Sequence, residues 1–320
     1  MTAYNKRLFV SNNSSRPPDI SVCISTYKRP EKLHRLLLQL SGQVLDAAFT
    51  CEVIIVDNDE IGSGRMGLVN QWPVDVPLKY VIEPRQNISH ARNKAVEEAR
   101  GYWIAFIDDD EIPDEHWLQN FWTMRSTLRG DAFFGPVLPR FEQNVHSWLA
   151  REPLYHRPRF SSGIRIHFAN TRTSNAFVKR HLLSKYRFDA NFGRLGGGDV
   201  ELFFRIEQDG YIFYWCDSAV VYEYFPPERV TVGWLLRRAF RGGISYTKIQ
   251  KKNQPNLIRN LVRFFKSSAG IVFYTLILPL EFLRGRLRVI RRMQQIVLQV
   301  GHVCGLFNIK FEEYKTTAMF

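Results

Sequence analysis

This 320-residue chain carries neither of two glycine-rich nucleotide-binding loops in the place where the corresponding folds use them. No Gly-x-Gly-x-x-Gly follows the first predicted strand, and no Gly-x-x-x-x-Gly-Lys-Ser/Thr occurs anywhere. These loops hold phosphates on their backbone amides. Their absence therefore argues against a dinucleotide-dependent dehydrogenase and against a P-loop ATPase.

Cysteine is scarce, and no segment predicts secretion. The four cysteines lie far apart and form no Cys-x-x-Cys pair, so we expect the reduced, buried thiols of a cytosolic protein. Residues 1–18 contain no apolar segment of signal-peptide length and are expected to form a polar tail.

Basic residues are in excess in only one part of the chain. The formal net charge is +13, and residues 228–292 contain fifteen Lys and Arg against two Glu. The remainder holds equal numbers of basic and acidic residues. A segment this basic indicates an anionic partner, which is phosphate, nucleic acid or an acidic membrane surface.

Four apolar runs alternate with predicted helices in the first 110 residues. They lie at 19–26, 51–56, 78–82 and 101–107. Apolar runs without polar alternation predict an α/β fold, with a mostly parallel sheet flanked by helices. Ligands of such sheets bind beyond the carboxyl ends of the strands, so we expect polar residues there to form the site.

Polar residues at the carboxyl ends of these predicted strands are of the types that bind a nucleotide. Asp57 would accept hydrogen bonds from a base or ribose, Tyr27 would stack on the base, and Arg85 or Arg92 would meet a phosphate. For Asp57 the alternative explanation is an Asx turn that ends the strand.

Three consecutive aspartates, Asp108 to Asp110, follow the fourth run. Like charges this close are costly unless a cation compensates them, and Mg²⁺ or Mn²⁺ favours carboxylate and phosphate oxygens. Strand periodicity predicts Asp108 and Asp110 on one face, with Asp109 turned away. The alternative is a solvated acidic loop before a helix that opens at Pro113, with Asp114 as its N-cap.

A second acidic candidate, Asp199, follows three glycines at 196–198 and begins a predicted helix that runs to about Gln208. Asp199 alone would be explained as an N-cap. An ordinary cap does not need three glycines, which let the backbone turn tightly and approach a ligand.

Six fragments follow one another along residues 19–245: ISVCISTYKRP (20–30), VIIVDN (53–58), NISHARNKA (87–95), FIDDDEIP (106–113), GGDVEL (197–202) and ERVTVGWLLRR (228–238). Together they resemble family 2 glycosyltransferases of the GT-A fold. The similar group consists of bacterial enzymes that add one sugar during exopolysaccharide or surface-glycan assembly, as in succinoglycan synthesis.

The resemblance implies a GT-A catalytic domain at 19–245, between the tail at 1–18 and a helical, membrane-associating region at 246–320. It implies inverting, metal-dependent transfer from a nucleoside diphosphate sugar, with UDP expected, to a glycan acceptor that is possibly linked to a polyprenyl diphosphate. Asp199 would be the general base, and Asp108 and Asp110 would bind Mg²⁺ or Mn²⁺. The expected donor-binding residues are Thr26, Tyr27, Arg29, Asp57, Arg85, Asn87, Arg92, Asp108, Asp109, Arg237 and Arg238.

Two departures from the family pattern stand out. Gly198 precedes Asp199 where the family often has Glu, and Glu223 lies where some relatives place a metal-binding His. The role of Glu223 stays open at this point, as does the choice between Arg237 and Arg238 at the diphosphate.

Residues 255–300 combine basic and apolar side chains at helical spacing. The uncharged run at 269–280 is shorter than the roughly 20 residues of a bilayer span, so an in-plane or re-entrant anchor on anionic lipid is expected. The alternative is a pair of helices packed on the catalytic domain. Attachment to the cytosolic face of the cell membrane is expected, and binding of nucleic acid is not.

Two other functions remain open from the sequence. A nucleotidyltransferase would use a related sheet, but it usually carries a Gly-rich basic signature where this chain has Ser25 to Pro30. A non-catalytic module would grip nucleic acid with the basic segment, and its binding would depend steeply on salt.

Overall fold

The computed structural model describes residues 16–44, 49–68, 76–142, 148–151, 154–307 and 309. They divide into two compact units. The sheet unit comprises the described parts of Met1–Arg140, Arg157–Ala190 and Gly198–Tyr224. The helical unit comprises those of Phe141–His156, Asn191–Gly197 and Phe225–Phe320.

Ten strands are assigned among the described residues. They are β1 (Ile20–Thr26), β2 (Cys51–Asp57), β3 (Leu78–Ile82), β4 (Trp103–Asp108), β5 (Glu111–Pro113), β6 (Ala132–Phe134), β7 (Val137–Phe141), β8 (Ala176–Lys179), β9 (Phe213–Trp215) and β10 (Val221–Phe225).

Eight α-helices are assigned in the same part of the chain. They are α1 (Pro30–Ser41), α2 (Ile88–Glu98), α3 (Trp117–Thr127), α4 (Arg180–Lys185), α5 (Gly198–Gln208), α6 (Val232–Asn253), α7 (Leu257–Phe282) and α8 (Arg286–Leu306).

The main sheet has seven strands in the order β3-β2-β1-β4-β8-β6-β9. Its first four strands pair in parallel, whereas β8 is antiparallel to both β4 and β6. The register places Thr26 opposite Asp57 and Ser25 opposite Asp108. The polar ends of β1, β2 and β4 therefore meet at one edge of the sheet, as the sequence predicts.

The apolar sequences of the central strands are explained by the burial of their side chains. Every residue of β2 and all but Ser25 of β1 are buried. The leucine stripe of α1 (Leu33, Leu36, Leu37 and Leu40) belongs to the same core. Pro30 suits the first turn of α1 because that turn has no partner for a backbone N–H. Cys23, Cys51 and Cys216 are buried free thiols, as expected.

A second sheet has the strand order β5-β10-β7. The expectation that residues 112–114 open a helix is wrong, because Glu111–Pro113 forms β5 and pairs with β10 in an antiparallel ladder that sets Glu111 opposite Glu223. Helix α3 begins later, at Trp117. Asp114 is not its N-cap; its Oδ1 accepts a hydrogen bond from the backbone N of His116.

In the helical unit, α8 packs against both α6 and α7. Glycines allow the close approach of α6 and α8, since a Cβ on Gly243 would lie 2.3 Å from the carbonyl oxygen of Leu298. Helix α6 runs unbroken through residue 245, the boundary expected from the sequence. Among the described residues, α7 alone is long and apolar enough to cross a membrane, by length and composition only.

Candidate active site

The acidic turn after β4 is tied to the end of β1. Oγ1 of Thr26 donates a 2.8 Å hydrogen bond to Oδ2 of Asp109. Nη1 of Arg29 lies 3.2 Å from Oδ1 of Asp109 and 3.3 Å from Oδ2 of Asp110. Lys32, in the first turns of α1, places Nζ 3.7 Å from the same Asp110 oxygen. No role for Lys32 was predicted from the sequence.

The expected face pattern of the three aspartates is wrong. Strand β4 ends at Asp108, and the next two residues form a turn, so period-two alternation stops there. As a result Asp109 and Asp110 both contact Arg29, whereas Oδ1 of Asp108 pairs with Nη2 of Arg92 at 3.2 Å. The guanidinium of Arg92 also lies over the ring of Phe188.

The acidic side chains of this cluster are desolvated and repel one another. Burial and then the charge of Asp110 raise the pKa of Asp109, which reaches about 6 although Arg29 and the hydrogen bond from Thr26 oppose the rise. Desolvation likewise raises the pKa of Asp108 against the influence of Arg92. The pKa of Glu111 is raised well above its ordinary range by burial and then by Asp108. A bound cation would relieve this repulsion.

The residues fit such a cation only in part. Across the described ranges, no three or more His, Cys, Asp or Glu side chains form a group that would hold a metal ion by themselves. Asp108 and Asp110 offer carboxylate oxygens, which Mg²⁺ commonly binds together with phosphate oxygens and water, and their binding of an ion remains a prediction.

Asp57 is fully buried and already accepts three hydrogen bonds. The donors are the backbone N of Asp59 to Oδ1 at 2.9 Å, and the backbone N of Gly64 and the hydroxyl of Tyr80 to Oδ2 at 2.6 and 2.5 Å. The Asx turn that the sequence left open is therefore present. A carboxylate has about four acceptor positions, so one remains for a ligand.

The loop after β1 has an unusual backbone. Lys28 has φ of 52°, the one positive value of a non-glycine residue among those described. Such conformations cost energy and concentrate at functional sites. Tyr27, the predicted stacking residue, is half-buried, and Nζ of Lys28 lies 5.3 Å from the centre of its ring.

Glu83 and Asn58, to which the sequence analysis assigned no role, hold the loop after β3. Glu83 binds Arg85 through two side-chain contacts of 2.7 and 2.8 Å. The amide of Asn58 donates to the carbonyl oxygens of Glu83 and Arg85, and its Oδ1 accepts from the backbone N of Asn87. Polar residues at the ends of predicted strands were the feature of the sequence that could have identified these residues.

Asn87 itself has a structural task in this loop. Its side chain accepts from the backbone N of Ser89 as the N-cap of α2 and donates to the carbonyl oxygen of Ala190. Arg85 is exposed and held by Glu83. Contacts of these two residues with a donor remain predictions.

Asp199 is the second residue of α5 and lies within the first turn, so it is not the N-cap. The side chain is half-buried, and Oδ1 accepts from the backbone N of Val200 at 2.9 Å. Gly196 and Gly197 have φ of +88° and +83°, which explains why glycine is needed before this helix.

Glu223 faces Arg157 in the sheet unit. Nη2 of Arg157 donates to its Oε2 at 2.8 Å, and the two side chains are only 17% and 14% exposed. In the helical unit Arg237 is exposed on α6, whereas the guanidinium of Arg238 lies 5.1 Å from the ring centre of Trp234. Their expected contact with a diphosphate remains a prediction.

Comparison with known proteins identifies relatives that match nearly the whole chain or part of it. The succinoglycan biosynthesis protein ExoM of Rhizobium meliloti is 30% identical over 312 residues, which cover 92% of this chain and 95% of ExoM. Chondroitin synthase of Escherichia coli is 24% identical over 242 residues, which cover 65% of this chain and 35% of that protein.

Solved structures share the fold at low sequence identity. The mannosyltransferase PcManGT from Pyrobaculum calidifontis, in complex with GDP-Man and Mn²⁺, aligns with a TM-score of 0.61 and 18% identity over 94% of this chain and 90% of its own. S. aureus TarS 1-349 in complex with UDP aligns with a TM-score of 0.51 and 14% identity over 89% and 90%. The corresponding complex with UDP-GlcNAc gives 0.51 and 13% over 93% of both chains.

The family profile described as glycosyl transferase family 2 matches residues 21–190. That match spans β1 to the end of α4 and so includes the acidic turn after β4. Together with the similarity to ExoM along nearly the whole chain, it shows that this protein belongs to glycosyl transferase family 2 and has the GT-A fold.

Proposed function

We propose that the chain transfers a sugar from a nucleoside diphosphate donor, with UDP as the expected nucleotide, to a hydroxyl group of a glycan acceptor, inverting the anomeric carbon. The observation that carries this proposal is the convergence of Thr26, Arg29, Asp109 and Asp110 at the carboxyl edge of the sheet. Ligands of parallel sheets bind at this edge.

The relatives support the donor class and the pathway. TarS is known in complex with UDP and UDP-GlcNAc, and PcManGT in complex with GDP-Man and Mn²⁺. ExoM, which is similar along nearly its full length, is named for succinoglycan biosynthesis. We therefore assign this chain to exopolysaccharide or surface-glycan assembly.

In the proposed complex Asp108 and Asp110 hold a divalent ion, Mg²⁺ or Mn²⁺. Such an ion neutralises the negative charge that develops on the departing diphosphate. Arg92 holds Asp108 in place, and Arg29 with Thr26 fixes the turn beside it. Asp57 and Tyr27 bind the nucleoside, and Arg237 or Arg238 contacts the diphosphate.

Asp199 accepts the proton of the acceptor hydroxyl in this reaction. The hydroxyl oxygen forms a bond to the anomeric carbon from the face opposite the diphosphate, and the bond from that carbon to the phosphate oxygen breaks. One displacement inverts the centre. A positioned carboxylate base contributes about 10²–10⁴-fold to the rate of such a step.

The acceptor is proposed to be a polyprenyl-diphosphate-linked sugar at the cytosolic face of the cell membrane. The basic segment at 228–292 would then hold the enzyme, as a peripheral or monotopic protein, where its acceptor is. This location brings a water-soluble donor and a lipid-linked acceptor to the same surface.

A product assay tests the proposal. Nucleotide sugars are first screened for protection against thermal unfolding with MnCl₂ present. The stabilising donor is then incubated with a bacterial lipid extract as the source of acceptor. Release of one nucleoside diphosphate per sugar transferred supports the proposal. Release of pyrophosphate would instead identify a nucleotidyltransferase, and salt-sensitive binding of nucleic acid without turnover would identify a binding module.

A further inference from the structure

Helix α7 exposes apolar side chains along one side for its whole length. More than half of the exposed large hydrophobic side chains among the described residues lie between Leu257 and Leu283. Nine of these residues recur at helical spacing on one side, and we call this set the outward face. It consists of Ile258, Leu261, Val262, Phe265, Val272, Phe273, Leu276, Leu280 and Leu283.

The opposite side of α7 faces the neighbouring helices, and polar side chains make contacts there. The two buried residues of this helix are Ser267 and Glu281. Oε1 of Glu281 accepts a 2.6 Å hydrogen bond from Nη2 of Arg292 on α8. Near the other end, Nη2 of Arg263 donates to Oε1 of Gln250 on α6 at 3.1 Å.

An exposed apolar side combined with two buried polar side chains is the reverse of the pattern expected for a helix in water. A soluble helix buries its apolar stripe and exposes its charges. A helix in contact with hydrocarbon turns its ionisable side chains towards protein partners and its apolar side chains outward. An exposed apolar surface of this length also marks an interaction site.

The charged residues on α7 and just beyond it indicate the chemistry of the partner that binds the outward face. Arg259 and Lys266 are exposed in its first half, and Arg284, Arg286, Arg288 and Arg291 are exposed just after its end. From residue 257 to 292 the single acidic residue is Glu281, which Arg292 neutralises. An apolar strip between cationic ends is complementary to acyl chains bordered by anionic headgroups.

We propose that α7 lies in the plane of an anionic membrane, with its outward face among the acyl chains and the flanking arginines on the headgroups. Lys266 argues against a transbilayer orientation. It is exposed and lies near the middle of α7, so a spanning α7 would place its charge deep in hydrocarbon. The proposal names the surface responsible for the membrane attachment proposed above and does not depend on sugar transfer.

Vesicle flotation of the full chain tests the proposal without donor or acceptor. The variant Phe265→Glu/Leu276→Glu places two charges on the outward face. A matched control, Leu38→Glu/Ile164→Glu, places them at exposed apolar positions of the sheet unit. On phosphatidylglycerol-containing vesicles, we expect the native chain and the control to float and the α7 variant to bind at least about tenfold less.

Equal flotation of the α7 variant and the native chain would overturn the proposal. The proposal would also be overturned if the native chain is a dimer and the α7 variant is a monomer that binds vesicles equally well. The outward face would then be an interface between copies. Both variants alter exposed positions, and unchanged circular dichroism shows that each is folded.

Depth measurements test the orientation separately. Spin labels are attached through Ile258→Cys, Phe265→Cys and Leu276→Cys, and their depth in the bilayer is read from accessibility to oxygen and to a nickel chelate. Similar shallow depths of about 5–10 Å below the headgroups are expected for an in-plane helix. Depths that change steadily from residue 258 to residue 276 would contradict it.

Discussion

Oγ1 of Thr26 donates a 2.8 Å hydrogen bond to Oδ2 of Asp109, and this bond joins the end of β1 to the turn after β4. Both residues are buried. Arg29, three residues further along the chain, contacts Asp109 and Asp110. The loop after β1 and the acidic turn therefore form one structural unit, whose geometry decides how a donor is held.

Arg29→Gln tests the electrostatics of this unit. Without the guanidinium, Asp109 and Asp110 repel each other more strongly, so the melting temperature should fall. We expect a loss of only about 2–4 °C, because Arg29 is 39% exposed and solvent screens its charge. MnCl₂ should restore more stability to this variant than it adds to the native chain. Lys28→Gln is the control, and an identical response of the two variants would contradict the assignment.

Asp199→Asn tests the proposed general base. Asparagine keeps the size of the side chain but cannot accept the proton at neutral pH, so the transfer rate should fall by about 10²–10⁴-fold. Donor affinity, measured by calorimetry, should stay within a factor of about three. Asp209→Asn, just beyond the same helix, should leave the rate unchanged. A parallel loss of donor affinity in Asp199→Asn would remove this residue from the role of base.

A pair of adjacent glycines tests the packing of α6 and α8. A Cβ on Gly243 would lie 2.3 Å from the carbonyl oxygen of Leu298, whereas a Cβ on Gly242 would meet only a methyl group at 3.9 Å. Gly243→Ala should therefore force the helices apart and lower the free energy of unfolding by about 1–3 kcal/mol. Gly242→Ala should be neutral or slightly stabilising, because alanine favours helix. Chemical denaturation measures both, and equal effects would argue against the close approach.

Glu83 predicts a pH dependence of stability. The hydrogen bond from Arg85 lowers the pKa of Glu83 below its ordinary value of 4.5. The charged carboxylate therefore stabilises the fold above that value, and the contribution is lost as the pH falls through the lowered pKa. Glu83→Gln should melt below the native chain at pH 7, with a difference that shrinks in acid. In an Arg85→Ala background this pH dependence should largely disappear, and its persistence would contradict the stated cause.

Local patterns predicted the central strands and their shared polar edge. The apolar runs identified β1, β2 and β4, and the leucines placed the buried face of α1. These features depend on burial and periodicity, which are visible in one stretch of sequence. Of the residues grouped around Asp109, the strand-end pattern identified the aspartates, whereas the roles of Thr26 and Arg29 followed from the resemblance to family 2 glycosyltransferases.

Long-range pairing accounts for the errors. Residues 111–113 form a strand because β10, more than a hundred positions later, supplies a partner. Asp108 ends β4, so the following turn directs Asp109 and Asp110 towards Arg29. The inverted polarity of α7 depends in the same way on Gln250 and Arg292, which lie on other helices.

Donor titration into the native chain and into Asp110→Ala, with and without Mn²⁺, tests the central claim most directly. The native chain should bind its nucleotide sugar with Mn²⁺ and lose at least about tenfold in affinity with EDTA. Asp110→Ala should bind as weakly as the metal-free native chain, while the control Asp114→Asn keeps the native response. Donor affinity that is the same with and without Mn²⁺, or unchanged in Asp110→Ala, would contradict a metal-bridged donor at the acidic turn.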